Sequence, residues 1–229
     1  MAKHEVRSLV ALLALAAGLA GTASAQGAVR GQVSITERPG EISMDLGSSV
    51  VYLQPVSPLK QKKSDARTQM AMQGRQFAPR VAVIPSGTTV EFPNQDPFSH
   101  NIFSNTSGGA FDLGLYGRGN SKRAAFRKPG VYPVFCNIHA RMTGFVLAVS
   151  TPWYIQPGAD GRFSLDHVPA GRYVAHVWHE RAPEVTREIV VPSGGLNGID
   201  VRLDARGYTF KPHRNKFGQE YTSQGKDRY

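Results

Sequence analysis

Beyond residue 25 the chain is a succession of short apolar runs, rich in Val, Ile, Phe and Tyr, separated by turn residues. The runs include "VAVIP" (81–85), "TTVEF" (88–92), "GFVLAV" (144–149), "GRFSL" (161–165), "RYVAHVW" (172–178) and "REIVV" (187–191). Their borders are turn clusters such as Pro85-Ser86-Gly87, Pro129-Gly130 and Ala159-Asp160-Gly161. Short β-branched and aromatic runs closed by Gly, Pro, Asn or Asp signal strands, and no later segment sustains a helical period. The pattern predicts an all-β fold with about 14 strands at sandwich spacing. Roughly 200 residues suffice for one large or two small domains. The composition changes near Thr151-Pro152-Trp153, where a domain boundary is expected.

The first 25 residues break this pattern. A charged start with Lys3 and Arg7 leads into an apolar stretch from Leu9 to Ala20 and then Ala23-Ser24-Ala25. This is the layout of a secretory signal cleaved after Ala25, so a periplasmic protein is expected. The stretch is too short to cross the roughly 30 Å of a bilayer as a helix, and no later segment approaches the apolar length of a membrane span. Removing Lys3, Glu5 and Arg7 from the chain's 27 basic and 17 acidic residues leaves 25 and 16, a net charge of +9. The excess gathers at residues 60–80, 118–128 and 206–228. Such a surface favours acidic partners through a salt-sensitive field. Nucleic acid is the usual partner of a basic chain, and an exported location argues against it.

Cys136 is the only cysteine, and His139 and Met142 follow it at two equal three-residue steps in "VFCNIHARMTGF" (134–145). A solitary cysteine in an oxidising compartment has no partner within the chain for a disulfide. An inert buried thiol, an intermolecular disulfide, a nucleophile and a metal ligand remain. A nucleophile would use His139 as base, but no Asp or Glu lies within 131–149 to orient it. Thiolate, imidazole and thioether make a soft donor set suited to copper and unlike the oxygen sets of magnesium or calcium. Blue copper sites add a second histidine, for which His100 in "FPNQDPFSHNIFS" is the leading candidate. Pro133 and Gly144 flank the cluster and favour a strand-to-strand loop.

Two stretches in this order, "FAPRVAVIPSGTTVEFPNQDPFSHNIFS" (77–104) and "FDLGLYGRGNSKRAAFRKPGVYPVFCNIHARMTGFVLAV" (111–149), resemble the cupredoxins. These share the blue copper fold of plastocyanin, pseudoazurin and amicyanin, and the resemblance extends to bacterial plastocyanin-like proteins often labelled methylamine utilization. The two residues between His139 and Met142 match amicyanin, whereas plastocyanin and pseudoazurin have four there. The resemblance implies a Greek-key sandwich over residues 77–150 holding one type 1 copper. His100 and His139 would bind it through imidazole nitrogens, Cys136 as thiolate and Met142 as the long axial ligand. Asn101 would tie the two ligand-bearing segments together. His139 would be the electron port, with Ile138 and Phe98 as neighbours. Four protein ligands leave no open position, which implies an electron carrier and not an enzyme.

Downstream, "ADGRFSLDHVPAGRYVAHVWHERAPEVTREIVV" resembles the transthyretin-like or carboxypeptidase regulatory-like β-sandwich, expected over residues 151–204. The strands "VRGQVSI" and "SSVVYLQP", within residues 29–56, fit either the start of that sandwich or the N-terminal strands of the copper domain. Residues 57–76 read as a basic loop in which Met70 and Met72 only weakly suggest soft-metal capture, and 205–229 as a basic tail. Strand alternation points His176 and His179 to opposite faces, which makes His176, His179 and Glu180 a weak candidate for a second metal site. Trp178 reads as core.

Two function classes follow. The first is a periplasmic blue copper electron carrier with a redox partner such as an acidic c-type cytochrome. The second is a non-redox protein that stores or delivers copper, or an extracellular binding module with a structural copper site.

Overall fold

The computed structural model describes residues 26–57 and 67–221. The expected export signal, residues 58–66 of the basic loop and residues 222–229 of the tail lie outside the described residues. In chain order the strands are β1 (Gln26–Thr36), β2 (Val50–Pro55), β3 (Arg67–Gln69), β4 (Ala71–Gln73), β5 (Gln76–Ala78) and β6 (Val81–Pro85). Then come β7 (Thr89–Pro93), β8 (His100–Ser104), β9 (Phe111–Tyr116), β10 (Ser121–Ala125), β11 (Gly130–Cys136) and β12 (Thr143–Val149). The last are β13 (Tyr154–Ile155), β14 (Arg162–Pro169), β15 (Gly171–His179), β16 (Ala182–Val191) and β17 (Leu196–Asp204). The one helical element among the described residues is a 3-10 turn at Leu46–Ser48.

Strands from the two ends of the chain build one sandwich. Sheet β14-β1-β17 packs on sheet β13-β2-β15-β16, and Val29, Val33, Leu53, Phe163, Tyr173 and Leu203 meet in their common core. β1 runs antiparallel to β14 and parallel to β17, while β2 lies beside β15 with Leu53 opposite Ala175. The strands at 26–55 therefore pair with strands that follow residue 151. The crossing is close at Gly31, where a Cβ would sit 1.9 Å from the carbonyl oxygen of Ile199.

Between β2 and β13 the chain builds a second sandwich. Its sheets are β6-β12-β11-β8-β9 and β10-β7-β3, with the short β4-β5 pair beside them. Phe92, Ile102, Phe126, Tyr132, Val134 and Cys136 lie in its core. Residues 67–78, expected in part as a basic loop, form three short strands instead. Polar residues dominate this segment, but Met70 and Met72 are both fully buried core residues with Ala71 between them and Gln69 and Gln73 outside. The period of two is that of a half-buried strand, and it assigns both methionines to packing.

The two sandwiches share a third apolar cluster of Val50, Val81, Leu147 and Trp178, with Phe145 and Val83 packed against it. Its existence explains the unbroken apolar runs of the sequence. Val146 and Ala148 of β12 face the core of the second sandwich while Leu147 faces the shared cluster, so both faces of the strand are buried. Polar clasps flank the cluster. Arg80 grips Glu180 with two hydrogen bonds of 2.6 and 2.7 Å and donates a third to the carbonyl of Thr143. Within the smaller sandwich, Arg181 forks onto both Glu37 and Asp45 at 2.7–2.9 Å.

Candidate metal centre

His100 opens β8 and Cys136 closes β11, and these strands are hydrogen-bonded neighbours with Cys136 opposite Ile102. Residues 36 apart in the chain are thereby brought side by side. The return from β11 to β12 folds onto itself at three-residue steps. The N–H of His139 donates to the carbonyl of Cys136 at 3.3 Å, that of Met142 to His139 at 2.9 Å, and that of Cys136 to Met142 at 3.2 Å. The equal spacing of Cys136, His139 and Met142 is thus turn geometry. Gly144 leaves the loop where a Cβ would come within 3.1 Å of the carbonyl oxygen of Arg80.

Three donors converge. Nδ1 of His100 and Nδ1 of His139 each lie 3.4 Å from Sγ of Cys136, and the three donor atoms fall within 4.8 Å of one another. His100 and Cys136 are fully buried and His139 is 8% exposed. Met142 is buried in the same core as Cys136. The ring of Phe98 lies 5.3 Å from that of His100 and 5.6 Å from that of His139.

The electrostatics suit a cation. Burial pushes the Cys136 thiol up, although the N–H groups of Ile138, Asn101 and His139 favour its thiolate. A buried thiolate therefore needs a positive partner. Burial also pushes His100 down, against the upward pull of Asp96, and so favours the neutral ring with its lone pair. Its Nε2 lies 2.8 Å from Oδ2 of Asp96, which assigns the ring proton to Nε2 and leaves Nδ1 facing the sulfur. Asp96 is itself anchored. Burial alone would raise its carboxyl, but the N–H groups of Arg75 and Gly74 and the ring of His100 outweigh burial and hold it below the usual range. Two imidazoles and a thiolate, all buried, form a soft donor set of the kind that suits copper, with the Met142 thioether on the same loop.

Asn101 ties the ligand-bearing segments together through its backbone. Its carbonyl accepts the N–H of Asn137 at 2.8 Å, and its own N–H is directed at the Cys136 sulfur. Its side chain turns away to Asp112 at 2.6 Å. The Phe98 ring neighbours that of His139, and Ile138, partly buried, packs against the core.

His176, His179 and Glu180 do not converge. His176 stacks on Tyr52 and meets Glu184 at 3.0 Å. His179 points the other way, buried, with Asp45 3.5 Å from its Nε2. Glu180 is held by Arg80. The alternation of β15 separates the two rings, and the turn carries the carboxylate to a third neighbour. Among the described residues His100, Cys136 and His139 are the one group placed to share a metal.

Asp96 was missed in the sequence, though an acidic residue four positions before His100 was its visible signal. Also missed was the approach of the tail to the ligand loop, since nothing local marks it.

No protein-family model matches the sequence, and neither does any curated protein. Among solved structures, the chain is similar to a purple cupredoxin from Nitrosopumilus maritimus, with 28% identity over 36% of this chain and 99% of that one and a TM-score of 0.33. It is similar to a copper-containing nitrite reductase from Thermus scotoductus, with 28% identity over 52% of this chain and 28% of that one and a TM-score of 0.36. It is also similar to amicyanin from Paracoccus versutus, with 20% identity over 43% and 97% and a TM-score of 0.34. The case for a metal rests on the three converging side chains.

Proposed function

We propose that this chain is an exported type 1 copper protein that carries single electrons and is not an enzyme. The observation that carries the reading is the buried triad of His100, Cys136 and His139, held within 4.8 Å. Bound copper would supply a one-electron couple between Cu(I) and Cu(II). His100 and His139 would hold it through Nδ1 and Cys136 through its thiolate, with Met142 as the weak fourth ligand. The protein's part is to keep these donors spaced while the charge changes, which a closed core with a hydrogen-bonded loop does.

His139 is the one member of the triad that reaches the surface. It lines a cavity of about 580 Å³ together with Met142, Arg75, Arg80 and Arg141. Arg75 stands over Phe98 and Arg141 over Phe210. With Arg80 paired to Glu180, Arg75 and Arg141 give that edge a basic rim, which supports an acidic redox partner, a c-type cytochrome being the kind that fits, steered by the field toward His139. Full burial of His100 and Cys136 weighs against copper storage or delivery, which needs an exchangeable site, and against a substrate reaching those two donors. The smaller sandwich is read as an accessory module of the transthyretin-like kind, and the N-terminal segment as the signal that directs the protein to the periplasm.

The test is direct. Cu(II) added to the metal-free protein should produce an intense visible thiolate band, absent from Cys136→Ala. Colourless protein would sink the carrier reading.

A further inference from the structure

The chain does not leave the molecule after β17. From Ala205 it crosses from the smaller sandwich to the other one and lies along the ligand loop. The N–H of His213 donates to the carbonyl of Ala140 at 3.1 Å, and the N–H of Lys216 donates to Oδ1 of Asn137 at 2.9 Å. The hydroxyl of Tyr221 donates to the carbonyl of Cys136 at 3.1 Å. Nε2 of His213 lies 3.1 Å from the carbonyl oxygen of His139, and its Nδ1 lies 2.8 Å from that of Arg214. A neutral ring can donate to only one of them.

Side chains reinforce the contact. The His213 ring stacks on Phe135 at 4.6 Å, immediately before Cys136, with Tyr221 edge-on at 5.5 Å. The ammonium of Lys216 pairs with Asp112 at 2.6 Å, and Asp112 accepts the amide of Asn101 next to His100. The His213 ring also lies 6.0 Å from that of Phe103 on β8, so one segment of tail touches β11, which carries Cys136, and β8, which carries His100.

We propose that His213, Lys216 and Tyr221 are positioning residues, and that the tail is a strap holding the ligand loop at its metal-ready spacing. The physical reason lies in the loop. The loop's own turn bonds join Cys136, His139 and Met142, whereas the carbonyl of Ala140 and the side chain of Asn137 are taken up by the tail. Without it those groups would turn to water and the loop between its anchors would sample other shapes. Bonds from a distant segment restrict those shapes before any metal arrives, which is preorganisation. The consequence for copper rests on the reading above, whereas the restraint itself is a property of the metal-free chain.

The experiment compares the full chain with a truncation ending at Gly207 and with Tyr221→Phe and His213→Phe, which keep the rings and lose the hydrogen bonds. Alkylation of Cys136 by iodoacetamide and hydrogen exchange of residues 136–142 are measured without metal. The strap predicts Cys136 alkylation at least about 10-fold faster on truncation and several-fold faster in the point variants, because each loses about one net hydrogen bond. Exchange in β1 and β17 should stay at the wild-type rate. Unchanged alkylation in the truncation, or equal acceleration of loop and β1, would overturn the proposal. With copper added, the truncation should shift the thiolate band and the reduction potential; an identical band and potential would count against the strap. A full chain that shows no thiolate band would instead remove the copper reading, and the metal-free rates would still judge the strap.

Discussion

Nε2 of His100 and Oδ2 of Asp96 lie 2.8 Å apart, both nearly out of reach of solvent, and the carboxylate takes the N–H groups of Gly74 and Arg75 as well. A carboxylate so held sets both the tautomer and the tilt of the imidazole. It also links the ligand strand to the turn between β4 and β5.

Asp96→Asn keeps the shape and removes the charge. Copper affinity is expected to fall about 10–100-fold, the usual cost of losing a carboxylate behind a ligating histidine. Competition with a chromophoric chelator measures it, and an affinity within twofold of wild type would show that Asp96 does not orient the ring.

Met142→Leu conserves volume in the core, so its cost in stability should stay below about 1.5 kcal/mol. With Met142 as the weak fourth ligand proposed above, the thiolate band should survive while the reduction potential shifts, because such a donor would tune the potential without being needed to hold the metal. An unshifted potential measured by protein-film voltammetry would reduce Met142 to packing.

Trp178 packs on Phe145 across the two sandwiches, ring centres 5.3 Å apart and planes tilted by 58°. Trp178→Ala should cost about 3 kcal/mol or more by emptying the shared cluster. Urea unfolding of the variant should show this loss, and a shift worth less than 1 kcal/mol would mean the sandwiches do not depend on that contact.

Arg181 donates to Glu37 and Asp45 at once, and its hydrogen bonds hold the Glu37 carboxyl at about 2 despite burial. The fold therefore favours ionised Glu37. That stabilisation is fully present above about pH 5 and is lost as pH falls through about 2. Arg181→Met should destabilise by about 3 kcal/mol at neutral pH. Thermal midpoints followed from pH 6 to 2 should fall less steeply in the variant, and parallel curves would refute the linkage.

Much of the centre was readable from the sequence because it is local. Cys136, His139 and Met142 lie within seven residues, and a local backbone turn brings them together. Strand content was equally legible, since apolar runs and turn residues act over a few positions. The basic segment from residue 67 was misread because its polar residues outnumber the alternating Met70 and Met72. Asp96 and the tail contacts were hidden because each depends on a surface built by other parts of the chain.

By itself, then, the sequence determined the all-β character and the donor chemistry of the ligand loop. Tertiary structure alone decided that β1 and β2 pair with strands more than 100 residues later, that His100 sits beside Cys136, and that the tail lies over the ligand loop. The reason is the range of the forces. Turn propensity and alternation are set by near neighbours, whereas sheet partners are chosen by which apolar faces can be buried together. That choice depends on the whole chain.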